Sequence, residues 1–176
     1  MKKEIHLLIL TGSTGVGKSS TADAISRILT KKSINNAVID LDYLRYAYPR
    51  PKSDPFHTKL GYKNLASVWK NYKKVGVTHF IIPNVVEQKK DLENIKLAIS
   101  NDANIQVVFL KANVKIIHSR LKNRTKDESL QWHLDRAIVL SKKLEHAHVE
   151  NFFVNTENKP INKVAEEIIS KTGWAV

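Results

Sequence analysis

The chain has 176 residues, a length that suits one domain with one hydrophobic core. Hydrophobic residues make up 42% and charged residues 26%, and no apolar run approaches the roughly 20 residues that a membrane span needs. The sequence contains no cysteine, which excludes disulfides and thiolate metal sites. We therefore expect a cytoplasmic protein with no membrane segment, in which residues 1–176 form a single domain.

The formal net charge is +12, and the excess of Lys and Arg lies in the first three quarters of the chain. This balance favours anionic partners such as nucleotides, phosphorylated metabolites or nucleic acid. Most of the lysines are scattered over predicted helix surfaces, where they mainly confer solubility. Nucleic acid is therefore the less favoured partner, and the sequence does not indicate an oligomeric state.

Five short apolar runs predict buried strands, and helical periodicity fills the segments between them. The predicted strands are Ile5–Leu10, Ala37–Asp40, Thr78–Ile82, Ile105–Leu110 and Phe152–Val154. The predicted helices are Lys18–Thr30, Lys59–Lys74, Glu87–Ser100, Val114–Lys122, Leu130–His148 and Pro160–Thr172. Alternating strands and helices are typical of βαβ units, so we predict a mostly parallel, three-layer α/β fold.

Two segments do not fit regular elements. Residues 46–58 contain three prolines, and residues 123–129 are polar and lie between two predicted helices. Both are placed to act as mobile covers over a site. Within the first of them, Lys52 and His57 are weak candidates for contacts with a substrate.

The strongest signal follows the first predicted strand. Residues 12–19 read Gly-Ser-Thr-Gly-Val-Gly-Lys-Ser and match G-x-x-x-x-G-K-[ST], the P-loop pattern, in full. Its glycines let backbone N–H groups wrap a phosphate, and the following helix N-terminus adds positive charge. Lys18 can reach the β- and γ-phosphates of ATP, and Ser19 can ligate Mg²⁺. The predicted nucleotide-binding residues here are Gly12, Ser13, Thr14, Gly15, Val16, Gly17, Lys18, Ser19 and Ser20.

An acidic pair follows the second predicted strand. Asp40 and Asp42, two residues apart, are expected on the same side of an extended segment, at the end of a parallel strand where α/β folds bind ligands. One carboxylate, Asp40, is assigned to Mg²⁺ together with Ser19. The other, Asp42, can orient an acceptor hydroxyl or take its proton, and Arg45 can hold an anionic group of the acceptor.

Two other P-loop classes are disfavoured because their motifs are missing. The Asn-Lys-x-Asp and Asp-x-x-Gly segments of GTPases do not occur, and the third predicted strand ends in Asn84 without the Asp-Glu of motor ATPases. The Asp-x-Asp-x-x-Arg that follows the P-loop helix resembles the adenylylsulfate, shikimate and gluconate kinase branch of the adenylate kinase-like kinases. That resemblance implies a P-loop NTPase fold with strand order 2-3-1-4-5 and a short lid.

The resemblance also extends to the lid, predicted around residues 120–136, and to an acceptor-side loop around residues 46–58. Arg120 and Arg124 look like the Arg-x-x-x-Arg that opens the lid in such enzymes, which implies that Arg120 packs on adenine and Arg124 reaches the transferred phosphoryl group. Arg136 could add a third cation. The loop that contains Thr156 borders the adenine in relatives. The predicted catalytic residues are Lys18, Asp42, Arg120 and Arg124.

The sequence departs from these relatives at Asn84, where many carry a metal-associated Asp, so either Asn84 or Asp40 completes the metal shell. The favoured function is transfer of the γ-phosphate of ATP to a hydroxyl of a small molecule. One alternative is a polynucleotide 5′-hydroxyl kinase, since Asp42 and Arg45 also match its Asp-x-x-Arg. The other is a regulator that binds ATP without phosphorylating a free acceptor. The identity of the acceptor stays open.

Overall fold

The computed structural model describes residues 4–174, which form a five-stranded parallel sheet with helices on both faces. The strands are β1 (His6–Thr11), β2 (Asn36–Val38), β3 (His79–Pro83), β4 (Asn104–Lys111) and β5 (Phe152–Asn155). The helices are α1 (Lys18–Lys31), α2 (Leu41–Leu44), α3 (Thr58–Lys74), α4 (Lys89–Ala98), α5 (Val114–Arg124), α6 (Leu130–Ala147) and α7 (Ile161–Thr172). Every predicted element is present, and α2 is an addition. No helix within the described residues is both long and apolar enough to cross a bilayer.

The strand order is β2-β3-β1-β4-β5, which confirms the order that the resemblance implied. β1 lies at the centre, with Leu7 opposite Phe80 of β3 on one side and opposite Ile105 of β4 on the other. β2 and β3 therefore lie on one side of β1, and β4 and β5, which come later in the chain, lie on the other side. The carboxyl end of β1 is the point where an open α/β sheet forms its ligand crevice.

The sheet is apolar on both faces, which explains why its strands read as continuous hydrophobic runs. Leu8 and Leu10 of β1 face a core cluster that includes buried residues of α1 and α7. Leu7 and Ile9 face a second cluster on the other side, to which α3 and α4 contribute. Helices thus hold β1 from both faces, so the turn that follows β1 has a rigid base.

The helix ends follow the signals in the sequence. The side chain of Asn113 accepts the N–H of Lys115 at 2.9 Å and caps α5, as predicted. Gly76 and Gly173, which follow α3 and α7, have φ values of 86° and 68°. These caps fix where each helix ends relative to the edge of the sheet.

Candidate active site

The turn between β1 and α1 forms a backbone cradle. Gly12, Gly15 and Gly17 have φ values of 149°, 82° and 107°, which residues with side chains rarely adopt. A Cβ at Gly12 would lie 2.7 Å from the carbonyl oxygen of Leu110, so the turn also packs closely on β4. No side chain of the described residues caps α1, and its first turn carries no acidic residue. The N–H groups at this positive helix end therefore fit a phosphate group.

The ammonium group of Lys18 folds back over the cradle. Its Nζ donates to the carbonyl oxygens of Gly12 and Ser13, at 2.9 and 3.1 Å. Burial lowers the pKa of Lys18 to about 8, although the carboxylates of Asp42 and Asp40 act in the opposite direction. A bound phosphate would supply the negative charge that this buried cation lacks.

The acidic pair lies beside the start of α1. The Oγ of Ser19 donates to Oδ2 of Asp40 at 3.1 Å, and Oδ1 of Asp40 accepts the N–H of Asp42 at 2.9 Å. The carboxylate of Asp42 is ion-paired with Arg45. The Ser19 hydroxyl and the Asp40 carboxylate are oxygen ligands of the kind that Mg²⁺ binds, so these two residues fit that ion.

The extended segment predicted for the acidic pair is wrong. Asp40 is the N-cap of α2 and Asp42 lies in the first turn of that helix, because the Asp40 side chain pairs with the Asp42 N–H. The two carboxylates therefore have different surroundings. Asp40 is half-buried against Ser19, whereas Asp42 is exposed and lines the cleft.

Arg120 links three segments that are distant in sequence. Its guanidinium donates to the carbonyl oxygen of Val16 at 3.1 Å, to Oγ1 of Thr156 at 3.0 Å and to the carbonyl oxygen of Thr156 at 2.8 Å. Thr156 is only 3% exposed, so these bonds are partly shielded from water. The structure thus brings together Arg120, the P-loop and the loop after β5.

Arg124 has a different environment. It lies at the end of α5, is exposed and lines the cleft, and its side chain makes no hydrogen bond or ion pair within residues 4–174, although its charge acts on Lys18. The next helix, α6, contacts the P-loop directly, since the Oγ of Ser13 donates to the carbonyl oxygen of Ala137 at 3.0 Å in a buried position. A cation without a side-chain partner in the described residues therefore precedes a helix that is bonded to the cradle.

Arg136, which could add a third cation, lines the cleft, and its guanidinium is engaged in an ion pair. Arg136 is ion-paired with Glu87, whose other carboxylate oxygen lies 3.1 Å from Nζ of Lys143. In the sequence, Glu87 only marks the start of a predicted helix, and this contact was not predicted. The acid and the arginine are 49 positions apart, and no local pattern indicates their pairing.

One open cleft with a volume of about 1760 Å³ is lined by Lys18, Ser19, Asp42, Arg120, Arg124 and Arg136, whereas Asp40 does not line it. Small-molecule sites typically measure roughly 300–1,000 Å³, so the cleft has room for two ligands side by side. We call residues 12–20 with Arg120 and Thr156 the P-loop wall, and residues 42–62 with Asn84 the acceptor wall. Among the predicted nucleotide-binding residues of the P-loop wall, Gly12 and Ser13 lie beneath the surface of the cleft, whereas the others line it.

The acceptor wall is basic and aromatic. The cleft-lining side chains of this wall include Asp42, Arg45, Tyr46, Arg50, Phe56, Thr58, Tyr62 and Asn84. Lys52 and His57, the weak candidates, do not line the cleft; the Nε2 of His57 lies 2.9 Å from the carbonyl oxygen of Pro49 instead. The aromatic residues of this wall were not singled out from the sequence, because their exposure depends on the path of the loop.

The same arrangement of sheet and helices occurs in other proteins of known structure, and two of the three described here are named as kinases. The tunicamycin resistance protein of Deinococcus radiodurans has 16% sequence identity and a TM-score of 0.66, and the match covers 98% of each chain. A gluconokinase from Sinorhizobium meliloti 1021 has 15% identity and a TM-score of 0.65, covering 98% of this chain and 94% of that one. A shikimate kinase from Bacteroides thetaiotaomicron has 17% identity and a TM-score of 0.63, covering 96% and 98%.

The sequence also matches the model of one particular protein family. The family model of adenylylsulphate kinase matches residues 4–127, which include the P-loop, the acidic pair, Arg120 and Arg124. This segment is well over half of the chain. The chain therefore belongs to the adenylylsulphate kinase family and is an ATP-dependent kinase.

Proposed function

We propose that this protein transfers the γ-phosphate of ATP, bound with Mg²⁺, to a hydroxyl group of a small-molecule acceptor. The observation that carries the proposal is that Lys18 and Asp42 line one cleft from opposite walls and interact electrostatically. Lys18 is thus placed for phosphate and Asp42 for a hydroxyl. Because the proposed reaction consumes ATP, we also propose that the protein works in the cytoplasm.

The P-loop wall holds the nucleotide in this proposal. The backbone N–H groups of residues 12–20 and the Lys18 ammonium bind the phosphates, while Arg120 and Thr156 form the border of the base. Ser19 and Asp40 would hold Mg²⁺. That ion, when bound, neutralises charge on the phosphate oxygens.

The acceptor wall orients the nucleophile. Asp42 accepts a hydrogen bond from the acceptor hydroxyl and takes its proton as the oxygen bonds to the γ-phosphorus and the bond to the β-phosphate oxygen breaks. Arg45, now paired with Asp42, would turn to an anionic group of the acceptor and free that carboxylate. Arg124, at the start of the lid (residues 120–136), closes on the transferred group and helps to exclude water.

The test is ATP turnover by the purified protein with a panel of hydroxyl acceptors. The panel contains adenylylsulfate, gluconate, shikimate and tunicamycin, the compounds named by the family and by the similar structures. Turnover stimulated by one of them, with its phosphorylated product identified, supports the proposal. Tight ATP binding without stimulation by any acceptor contradicts it and favours a nucleotide-binding regulator.

An Asp42→Asn variant tests the mechanism. Because the amide cannot take the proton, we expect transfer at pH 7 to fall at least about 100-fold while ATP affinity at that pH changes less than about threefold. Asp23→Asn, the same change at an exposed position of α1, is the matched control and should leave both unchanged. Undiminished transfer in the Asp42 variant would exclude Asp42 from this role.

A second candidate is phosphorylation of the 5′-hydroxyl end of a nucleic acid. Tyr46 and Tyr48 are 81% and 94% exposed beside Arg50, and aromatic rings next to cations are how single strands are bound. Transfer to a 5′-hydroxyl oligonucleotide that weakens steeply with rising salt would support this candidate. Equal activity at low and high salt would argue against it.

A further inference from the structure

His133 lies on the face of α6 that borders the cleft. The cleft-lining residues of this helix include His133, Arg136 and Leu140, which are spaced by three and four positions and so share one face. The same helix is bonded to the P-loop, since the Oγ of Ser13 donates to the carbonyl oxygen of Ala137 at 3.0 Å. Four residues of an α-helix rise about 6 Å, so the backbone of His133 lies one turn from the residue that bonds α6 to the cradle.

The charges around His133 indicate which part of the cleft it faces. The charge of Arg124 acts both on His133 and on Lys18. Because such effects weaken with distance, the imidazole, the guanidinium and the ammonium group lie near one another. In the proposed function, Lys18 binds the phosphates and Arg124 closes on the transferred group. His133 therefore faces the part of the cleft where the γ-phosphate is expected.

The surroundings of the imidazole determine which of its nitrogens can donate. Nδ1 of His133 is buried and has no partner within residues 4–174, whereas Nε2 is not buried in this way and makes no hydrogen bond there. A proton on Nδ1 would be a buried donor without an acceptor, while a proton on Nε2 can be donated to water or to a ligand in the cleft. The neutral ring should therefore carry its proton on Nε2.

The imidazole does not have to be charged to bind an anion. Burial lowers the pKa of His133, and the charge of Arg124 acts in the same direction against a smaller effect of Asp127, so the ring is mainly neutral at pH 7. Protonation would add a hydrogen at Nδ1, so the Nε2–H is present in both protonation states. An ionised phosphate oxygen only accepts hydrogen bonds and therefore fits this donor.

We propose that His133 is a further phosphate-binding residue of the lid, whose Nε2–H donates to an oxygen of the γ-phosphate of ATP. This inference rests on the proposed kinase function, since it takes the part of the cleft near Lys18 as the site of that phosphate. Water accepts from Nε2 in the free protein, and the phosphate oxygen replaces this water when the lid closes. His133 forms no covalent bond in this role.

The experiment compares nucleotides with and without a γ-phosphate. Dissociation constants for ADP and for a non-hydrolysable ATP analogue, each with Mg²⁺, are measured by calorimetric titration at pH 7, and Tm reports on the fold. His133→Phe removes both ring nitrogens, whereas His133→Gln keeps an N–H donor near the position of Nε2. His118→Phe and His118→Gln are the matched controls. His118, on α5, also has a buried nitrogen without a partner in the described part of the chain, but it does not line the cleft.

His133→Phe should weaken binding of the ATP analogue at least about tenfold, because a hydrogen bond to a charged group is lost, and should change ADP binding less than about threefold. His133→Gln should stay within about threefold of the wild-type protein for both nucleotides. Both His118 variants should keep the wild-type ratio of the two dissociation constants. The Nε2–H signal of His133 in NMR spectra, assigned by its absence in His133→Gln, should shift more with the ATP analogue than with ADP.

Three results would overturn the inference: His133→Phe weakens ADP and the ATP analogue equally, as a purely structural residue would; His133→Gln loses as much affinity for the analogue as His133→Phe; or the His118 variants lose it too. The proposed function can fail separately. A selective loss of analogue affinity in His133→Phe, in a protein that transfers phosphate to no acceptor, would support the inference and contradict the kinase mechanism. Transfer and analogue affinity that are both unchanged in His133→Phe would do the reverse.

Discussion

The P-loop wall is held by contacts between distant segments, whereas the acceptor wall is held mainly by contacts within one segment. In the first, Arg120 bonds to Val16 and Thr156, and Ser13 bonds to Ala137 across 124 positions. In the second, Arg45 pairs with Asp42 and Asp54 caps α3 through the N–H groups of Thr58 and Lys59. We infer that the nucleotide half is preformed, while the acceptor half can rearrange around its ligand.

Two glycines, one in each wall, give the strongest test of this contrast. A Cβ at Gly15 would lie 2.8 Å from Cγ of Leu121, at a φ of 82°. A Cβ at Gly61, inside α3, would lie 3.3 Å from Cβ of Arg45. The first contact is with a buried side chain of α5, and the second is with a side chain that can shift.

Gly15→Ala should lower the free energy of unfolding by about 3 kcal/mol, because overpacking and backbone strain add, and it should weaken ATP binding at least about tenfold. Gly61→Ala should stay within about 1 kcal/mol of wild type, since the gain in helix propensity offsets the crowding, and should alter only acceptor KM. Chemical denaturation and calorimetric titration with ATP measure both effects. Equal losses in the two variants would refute the contrast.

The two lid arginines, Arg120 and Arg124, differ in their contacts and so give a second test of the same contrast. Arg120→Gln removes a donor to two partly buried carbonyl groups, so the free energy of unfolding should fall by about 2 kcal/mol and ATP affinity by about tenfold. Arg124→Gln breaks no contact within the described residues, so stability should change by less than about 0.5 kcal/mol. If Arg124 acts on the transferred group, kcat should fall about 100-fold. A loss of Tm with unchanged kcat in the Arg124 variant would contradict its proposed role.

The sequence was informative wherever the signal is local. The glycine spacing of residues 12–19 requires its turn, and the apolar runs predicted every strand because both faces of the sheet are covered. The helix α2 was missed because it has only four residues, and its sole signal is the bond between Asp40 and the Asp42 N–H. The pattern Asp-x-Asp is as typical of an extended turn as it is of the start of a helix.

The contacts that the sequence could not give are those made across the fold. The bond from Ser13 to Ala137 and the pairing of Glu87 with Arg136 depend on how α6 packs against the sheet. The lack of a hydrogen-bond partner for Oδ1 of Asn84 within the described residues likewise depends on packing, although the sequence already showed Asn at position 84, where many similar kinases carry Asp. The sequence therefore indicated most residues that line the P-loop wall, and Asp42 and Arg45 in the acceptor wall, whereas the aromatic lining of the acceptor wall became visible only in three dimensions.

The pH dependence of ATP affinity links the two walls through Lys18. Burial lowers the pKa of Lys18 to about 8 from a usual value near 10.5, so the ligand-free protein loses this charge as the pH rises through about 8. A bound phosphate favours the protonated amine and raises its pKa, so binding above pH 8 must take up a proton. ATP affinity should therefore be constant near pH 7 and fall by up to about tenfold per pH unit above 8. Calorimetric titration in two buffers of different ionisation enthalpy measures the proton uptake directly.

The charge on the acceptor wall should determine the pH at which ATP affinity begins to fall. The carboxylate of Asp42 raises the pKa of Lys18 against the effect of burial. Asp42→Asn removes this charge, so the fall in ATP affinity should begin at a lower pH, whereas Asp23→Asn should leave the profile unchanged. An identical profile in the Asp42 variant would mean that the two walls are not electrostatically coupled, and Asp42 would then have to be assigned to the acceptor alone.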